Sequence, residues 1–314
     1  TCSWEILSGA RQVATGSGTT FSCVLEEAGA LTVKLTATKT GDPSVVLART
    51  RAGFLSAAPG NVYVVTGENP GAAAPYTSWA TAATRIEDAL AAVADGGTVH
   101  LSNGVHEVSR QIDLKRAVTI RGEFGRDVTT LRRVGTGHSR LVRMSHPEAC
   151  VEGLTLTGAD GDGAINSWGA CVFIDVLGGV LQDCRVTDNT MSAGSQYGIV
   201  GIRSPDGVMR RTTIDRNVFT ATDGSGGVGG GFAISAGPGE SCRVTLNTNR
   251  TAGGAWIEGG TVRNCTFTRN YNNTVVSIPS NKSNNRVSAG GVAFASADIV
   301  FENNIVAGNT APDK

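Results

Sequence analysis

The sequence predicts an all-β solenoid, a chain wound into stacked coils of short parallel strands, and three observations predict it. The hexapeptide "CRVTDN" at 184–189 returns as "CRVTLN" at 242–247 and as "CTFTRN" at 265–270, with dissimilar sequence between the copies. Aligning on the closing Asn gives Asn189, Asn217, Asn247, Asn270 and Asn309 at unequal intervals, and "LTLTGA" at 154–159 is an earlier copy. A fixed short strand with variable connections is what stacked coils produce, because each coil keeps its stacking strand and lets its loops differ. Within each copy the period is two. Val186, Ile214, Val244, Phe267 and Val306 form one inward column, and Cys184, Thr212, Cys242, Cys265 and Asn304 the column before it. Composition agrees: 42 of 314 residues are Gly, 17% are charged and 5% aromatic, against about 7% Gly and about 25% charged in ordinary domains.

From the N-terminus, residues 1–50 alternate in bursts such as "TTFSCVLEEAG" and "ALTVKLTATKTG", broken by Gly and Pro, which predicts an antiparallel β-sandwich segment. Cys2 and Cys23 bracket part of it and are the expected disulfide. Residues 51–75 form a connector that holds a short strand, "NVYVV", and ends in "GENPGAAAP". An amphipathic helix is expected over 81–94, where Ala83, Ile86, Leu90 and Val93 share one face and Gly96 stops it, and Trp79 is expected to staple it. Strands follow near 98–101, 105–108, 111–114 and 117–121, and the solenoid runs over 76–314. A second strand per coil is visible as "CVFIDV", "YGIVGI", "GGFAIS" and "GGAWIEG", entered through glycines that permit a corner. The recurrent Asn turns the chain and bonds along its own column. Stacked Cys serves as small apolar filler.

"PYTSWATAATRIEDALAAV", "GGTVHLSNGVHEV" and "IDLKRAVTIRGE" together resemble the entry of the pectate-lyase-like superfamily, as it occurs in secreted bacterial proteins. That resemblance implies a right-handed parallel β-helix whose N-terminal helix caps the first rung. "FSCVLEEAGALTVKLTAT" resembles the closing half of a PKD-type or other immunoglobulin-like module of bacterial surface proteins. The pairs "FTRN" and "GGAW" are similar to repeats of polymorphic outer-membrane and autotransporter passenger proteins, which are adhesive. These resemblances imply a secreted or cell-surface location.

Candidate chemistry lies on the outward columns of the repeated strand. Asp183, Arg211, Ser241, Asn264 and Asn303 occupy one, Arg185, Thr213, Arg243, Thr266 and Ile305 the next, and Thr187, Asp215, Thr245 and Thr268 a third. With rungs about 4.8 Å apart, such a face suits a glycan held by bidentate Arg contacts and Asn or Thr hydrogen bonds. The first expectation is therefore polysaccharide recognition, with Arg185, Arg243, Asn264, Tyr197, Tyr271 and Trp256 as binding residues, and Arg211, Asp183 and Asp215 are expected to share a groove walled by the 218–231 and 271–290 loops. The superfamily resemblance implies an alternative: a lyase acting on an acidic, uronic glycan by β-elimination, with Arg211 as base flanked by Asp183 and Asp215, and with Ca²⁺ as a possible cofactor. Asp160 and Asp162 in "GADGDGAIN" are the candidate metal ligands, but the stretch lacks the later bidentate acid of an EF-hand and fits an ordinary inserted turn better. A third alternative is a structural surface spacer on which Arg and Asp merely pair across rungs.

Other classes are excluded or weakened. Lys plus Arg equals Asp plus Glu, so no global field gathers nucleic acid or an anionic membrane face. No apolar run is long enough for a membrane-spanning helix, and the chain reads as a soluble segment of a larger precursor. "GSGGVG" at 224–229 matches a dinucleotide fingerprint literally, but no helix follows it.

Overall fold

The computed structural model describes every residue except 24, 26–28, 162–166, 193–195, 221–226, 274–288 and 312–314. Residues 2–57 form one antiparallel sheet in the order Arg11–Ser17, Cys2–Ser8, Gly29–Lys39, Asp42–Ala57. Among the described residues, only Ile6 and Leu31 of this sheet belong to the buried apolar set. No second layer faces it among the described residues, and its last strand runs past residue 50 to Ala57. The expected Cys2–Cys23 disulfide is not formed: both thiols are free. Cys2 lies on a strand paired on both sides, whereas Cys23 sits exposed in a stretch without regular structure.

From Asn61 onward the chain cycles through three stacked parallel sheets. Sheet I has eight strands, from Gly104–Val108 through Thr155–Thr157, Arg185–Thr187, Thr213–Asp215, Arg243–Thr245 and Thr266–Thr268 to Ile305–Ala307. Sheet II has seven, from Ile112–Leu114 to Val292–Phe294, and sheet III nine, from Asn61–Val64 to Ile299–Glu302. The "NVYVV" strand is thus the first strand of sheet III: Val62 and Val64 point inward and are fully buried. The arrangement is compatible with a parallel β-helix.

The inward columns follow the period of two. Val186 pairs in register with Ile214, Ile214 with Val244, Val244 with Phe267 and Phe267 with Val306. All except Val306 are fully buried. The preceding column stacks Cys184, Thr212, Cys242 and Cys265 in the same register, all buried. The Cys184 thiol lies 3.6 Å from the Val151 carbonyl, and burial pushes its pKa up to about 12. It is a filler rather than a nucleophile, because the thiolate is the reactive form.

The Asn column is a continuous ladder. The Asn189 main-chain N–H and its Nδ2 both donate to Asn217 Oδ1 at 3.0 Å. The same pair of bonds joins Asn217 to Asn247, Asn247 to Asn270 and Asn270 to Asn309. Each amide also donates to a carbonyl of the coil before it, as Asn247 does to Ile214 at 2.9 Å. Ala159, at the head of the column, donates its N–H to Asn189 Oδ1.

The three-residue strands of sheet I are bracketed by left-handed residues. Asp183, Arg211, Ser241, Asn264 and Asn303 have φ between 49° and 55°, and Asp188, Arg216, Leu246 and Arg269 between 54° and 59°. The first set is the column expected on the outer strand face. It forms the bend into sheet I instead, since a three-residue strand needs a change of heading at each end.

The helix is shorter than expected, Ile86–Ala92, and a 3-10 turn, Trp79–Thr81, precedes it. Its buried Ile86 and Ala89 belong to the same core cluster as Val62 and Val99 of the first two strands of sheet III. Arg116 donates to the carbonyls of Leu90 and Val93 at the helix C-terminus, where a cation is favoured. Trp79 does not staple the helix: it is 37% exposed, and its ring lies against Tyr63 and Phe124.

Candidate functional site

The outer face of sheet I carries two side-chain columns: Thr155, Arg185, Thr213, Arg243 and Thr266, and beside them Thr187, Asp215, Thr245 and Thr268. Arg185 reaches across one rung and grips Asp215 with both prongs, Nε to Oδ1 at 2.9 Å and Nη2 to Oδ2 at 2.6 Å. Arg216 adds a third bond to Asp215 Oδ2 at 3.1 Å. The Asp215 side chain is only 6% exposed, so its charge is held by these two guanidinium groups. Arg243 projects from the next rung, exposed, with no ion-pair or hydrogen-bond partner among the described residues.

Arg185, Asp215 and Arg243 line an open polar depression of about 310 Å³, shared with Arg126, Asp127, Thr213, Thr245 and Leu246. Arg126 comes from the bend that joins sheet III to sheet I. It is pinned by Nη1 bonds to the carbonyls of Cys184 at 2.9 Å and Arg211 at 3.0 Å, while its own carbonyl accepts from Thr155 Oγ1. Three cations and two carboxylates therefore border the depression, leaving a net positive charge with Arg243 uncommitted. No local sequence signal marks Arg126, whose two acceptors lie 58 and 85 residues away.

The expected site residues divide among four places. Arg185, Asp215 and Arg243 meet in the depression. Arg211, Asp183 and Asn264 sit on the left-handed bend, where Arg211 grips Asp183 with two bonds of 2.8 and 2.7 Å. Tyr197 and Trp256 lie with Trp168 and Phe173 in a separate small apolar cluster, in which the Trp168 and Tyr197 rings stack at 4.8 Å. Tyr271 lies on a further small sheet, on the strand Tyr271–Asn272 paired to Thr248–Asn249. Of the loops expected to wall the groove, residues 221–226 and 274–288 lie outside the described residues.

The hydrogen bond from Arg211 to Asp183 raises the pKa of the guanidinium and lowers that of the carboxyl. Arg185 is likewise raised by its bond to Asp215. A general base needs the opposite shift. The outer column of sheet III is closed by its own pairs: Arg121 and Gln182 both bond to Glu152, Arg210 to Gln182 at 2.8 Å, and Arg263 to Glu302 at 3.0 Å.

Asp160 does not fit a cation site. Its Oδ1 accepts from Thr190 Oγ1 at 2.6 Å and the Ser192 N–H at 3.0 Å, and its Oδ2 from Ser192 Oγ at 2.6 Å and His138 Nδ1 at 2.9 Å. Asp162 lies outside the described residues. No cluster of three or more His, Cys, Asp or Glu suited to a metal occurs among the described residues. Burial raises the Asp160 pKa, but the bonds from Ser192, Thr190 and His138 outweigh it and leave the carboxyl below its ordinary value. The network then contributes stability at neutral pH, fully present above the unfolded carboxyl pKa of about 3.9, and lost as pH falls through the lower folded value. Asp160→Asn is expected to lower stability by about 2 kcal/mol at neutral pH and to flatten the acid limb of a thermal-melting series; an unchanged limb refutes the assignment.

The fold and this face define an all-β protein of stacked parallel sheets with an arginine-lined outer depression. In comparisons with known proteins, the chain matches no family model, no curated protein and no solved structure.

Proposed function

We propose that the protein is secreted or displayed at the cell surface and recognises an acidic polysaccharide on the outer face of sheet I. In this reading the three sheets close into a right-handed β-helix of the pectate-lyase-like kind with the 86–92 helix as cap, and the N-terminal sheet is a surface-protein module of the immunoglobulin or PKD type. The observation that carries the binding reading is the Arg243 guanidinium, uncommitted and exposed beside the bidentate Arg185–Asp215 pair in a depression that also holds Arg126. A planar guanidinium fork matches a carboxylate or sulfate in two parallel bonds. The paired Arg185 and Arg211 are poor bases, so recognition is favoured over β-elimination.

Affinity electrophoresis in gels containing homogalacturonan, alginate or chondroitin sulfate tests the proposal. Retardation in at least one gel is expected, weakened about tenfold or more in Arg243→Ala, the size of one lost charge-assisted bond. Absence of retardation in all three overturns it and leaves a structural spacer. Release of an unsaturated product from these polymers restores the lyase.

A further inference from the structure

We infer that a second saccharide-binding surface lies at the head of sheet III, an aromatic platform of Tyr63, Trp79 and Phe124 that takes a neutral pyranose. The Trp79 ring meets Tyr63 edge-on at 4.7 Å, and Phe124 lies 6.2 Å from Trp79. Trp79 is 37% and Phe124 59% exposed with the whole chain present, including the N-terminal sheet. Two large rings thus stay in water beside the buried core of these coils, and next to each other.

The platform is held in place before any ligand arrives. Tyr63 stacks on His100 at 5.0 Å, and His100 is fixed by Glu123 Oε2 at 2.7 Å and Asn61 Oδ1 at 3.0 Å. Trp79 rides on a 3-10 turn whose Ser78 side chain accepts from the Thr81 N–H, and Asn69 Nδ2 bonds to the Ala82 carbonyl just beyond it. Rigid aromatic rings lose little entropy on binding, and their faces suit the C–H face of a sugar ring.

The polar groups at the rim select the occupant. Glu123 and Asn61 are exposed, and the Trp79 indole N–H has no acceptor among the described residues. These supply donors and acceptors for hydroxyl groups around a stacked ring. The Glu123 carboxylate repels an acidic sugar, so the platform and the arginine depression take different units. The bend after Gly122 carries both Phe124 and Arg126, which places neutral and acidic recognition on one short segment.

Isothermal titration of the full chain with cellohexaose, mannohexaose and chitohexaose tests the platform. At least one is expected to bind, about tenfold more weakly in Trp79→Ala and in Phe124→Ala, the size of one lost stacking contact, and unchanged in Arg243→Ala. Phe124 is the more exposed of the two, so Phe124→Ala keeps the test open if Trp79→Ala fails to fold. Silence from all three sugars, binding unaltered by both aromatic variants, or binding abolished by Arg243→Ala overturns the inference. The acidic-polymer assay stands apart, so failure of either surface is read without the other.

Discussion

Asn247→Ala is expected to destabilise the protein by about 3–5 kcal/mol, the sum of several orphaned buried groups. Asn247 is fully buried, and its Oδ1 accepts two donors from Asn217 while its Nδ2 donates to Ile214 and Asn270. Ala cannot replace any of these bonds. The Asn217 N–H and Nδ2 lose their acceptor, and the Ile214 carbonyl loses its donor, all out of reach of water. Asn309→Ala, at a partly exposed position, is expected to cost about 1 kcal/mol. Urea unfolding followed by far-UV circular dichroism measures both. A loss below about 1 kcal/mol for Asn247→Ala rules out the ladder as a structural element.

Phe267→Ala is expected to lose about 3–5 kcal/mol by a different mechanism, the cavity it leaves. Its ring is fully buried, stacks in register with Val244 and Val306, and lies 5.8 Å from Phe232 and 5.9 Å from Phe301. Three sheets meet there, since Phe232 belongs to sheet II and Phe301 to sheet III. Phe267→Leu, which keeps most of the volume, is expected to cost about 1.5 kcal/mol or less. Equal losses for the two variants contradict the packing described.

The inward columns were legible because burial on one face imposes a period of two, and five copies of one strand repeat it. The Asn ladder was legible for the same reason: an amide recurring at a fixed place after a buried strand can satisfy the backbone of its neighbours. The bends were not. Asp183, Arg211 and Asn264 continue the alternation of a strand only three residues long, and nothing in their chemistry separates a strand position from a left-handed one. Arg211 in particular is a residue type with no preference for positive φ. Tyr197 and Trp256 were counted with Arg185 and Arg243 as binding residues on residue type, whereas they pack in a cluster of their own. Arg126 was beyond reach because its position depends on contacts several coils along.

The paired bends have a consequence for how such a chain diversifies. Successive ladder amides are separated by 23 residues in one coil and 39 in another, yet their Nδ2 bonds have the same length within 0.1 Å and their main-chain bonds within 0.2 Å. The strand with its two flanking bends therefore works as a self-contained cassette that restores the heading of the polypeptide whatever detour came before. Closing a longer excursion costs only about 0.6 kcal/mol per doubling. New recognition segments can be spliced in after the amide without retuning the stack beneath them.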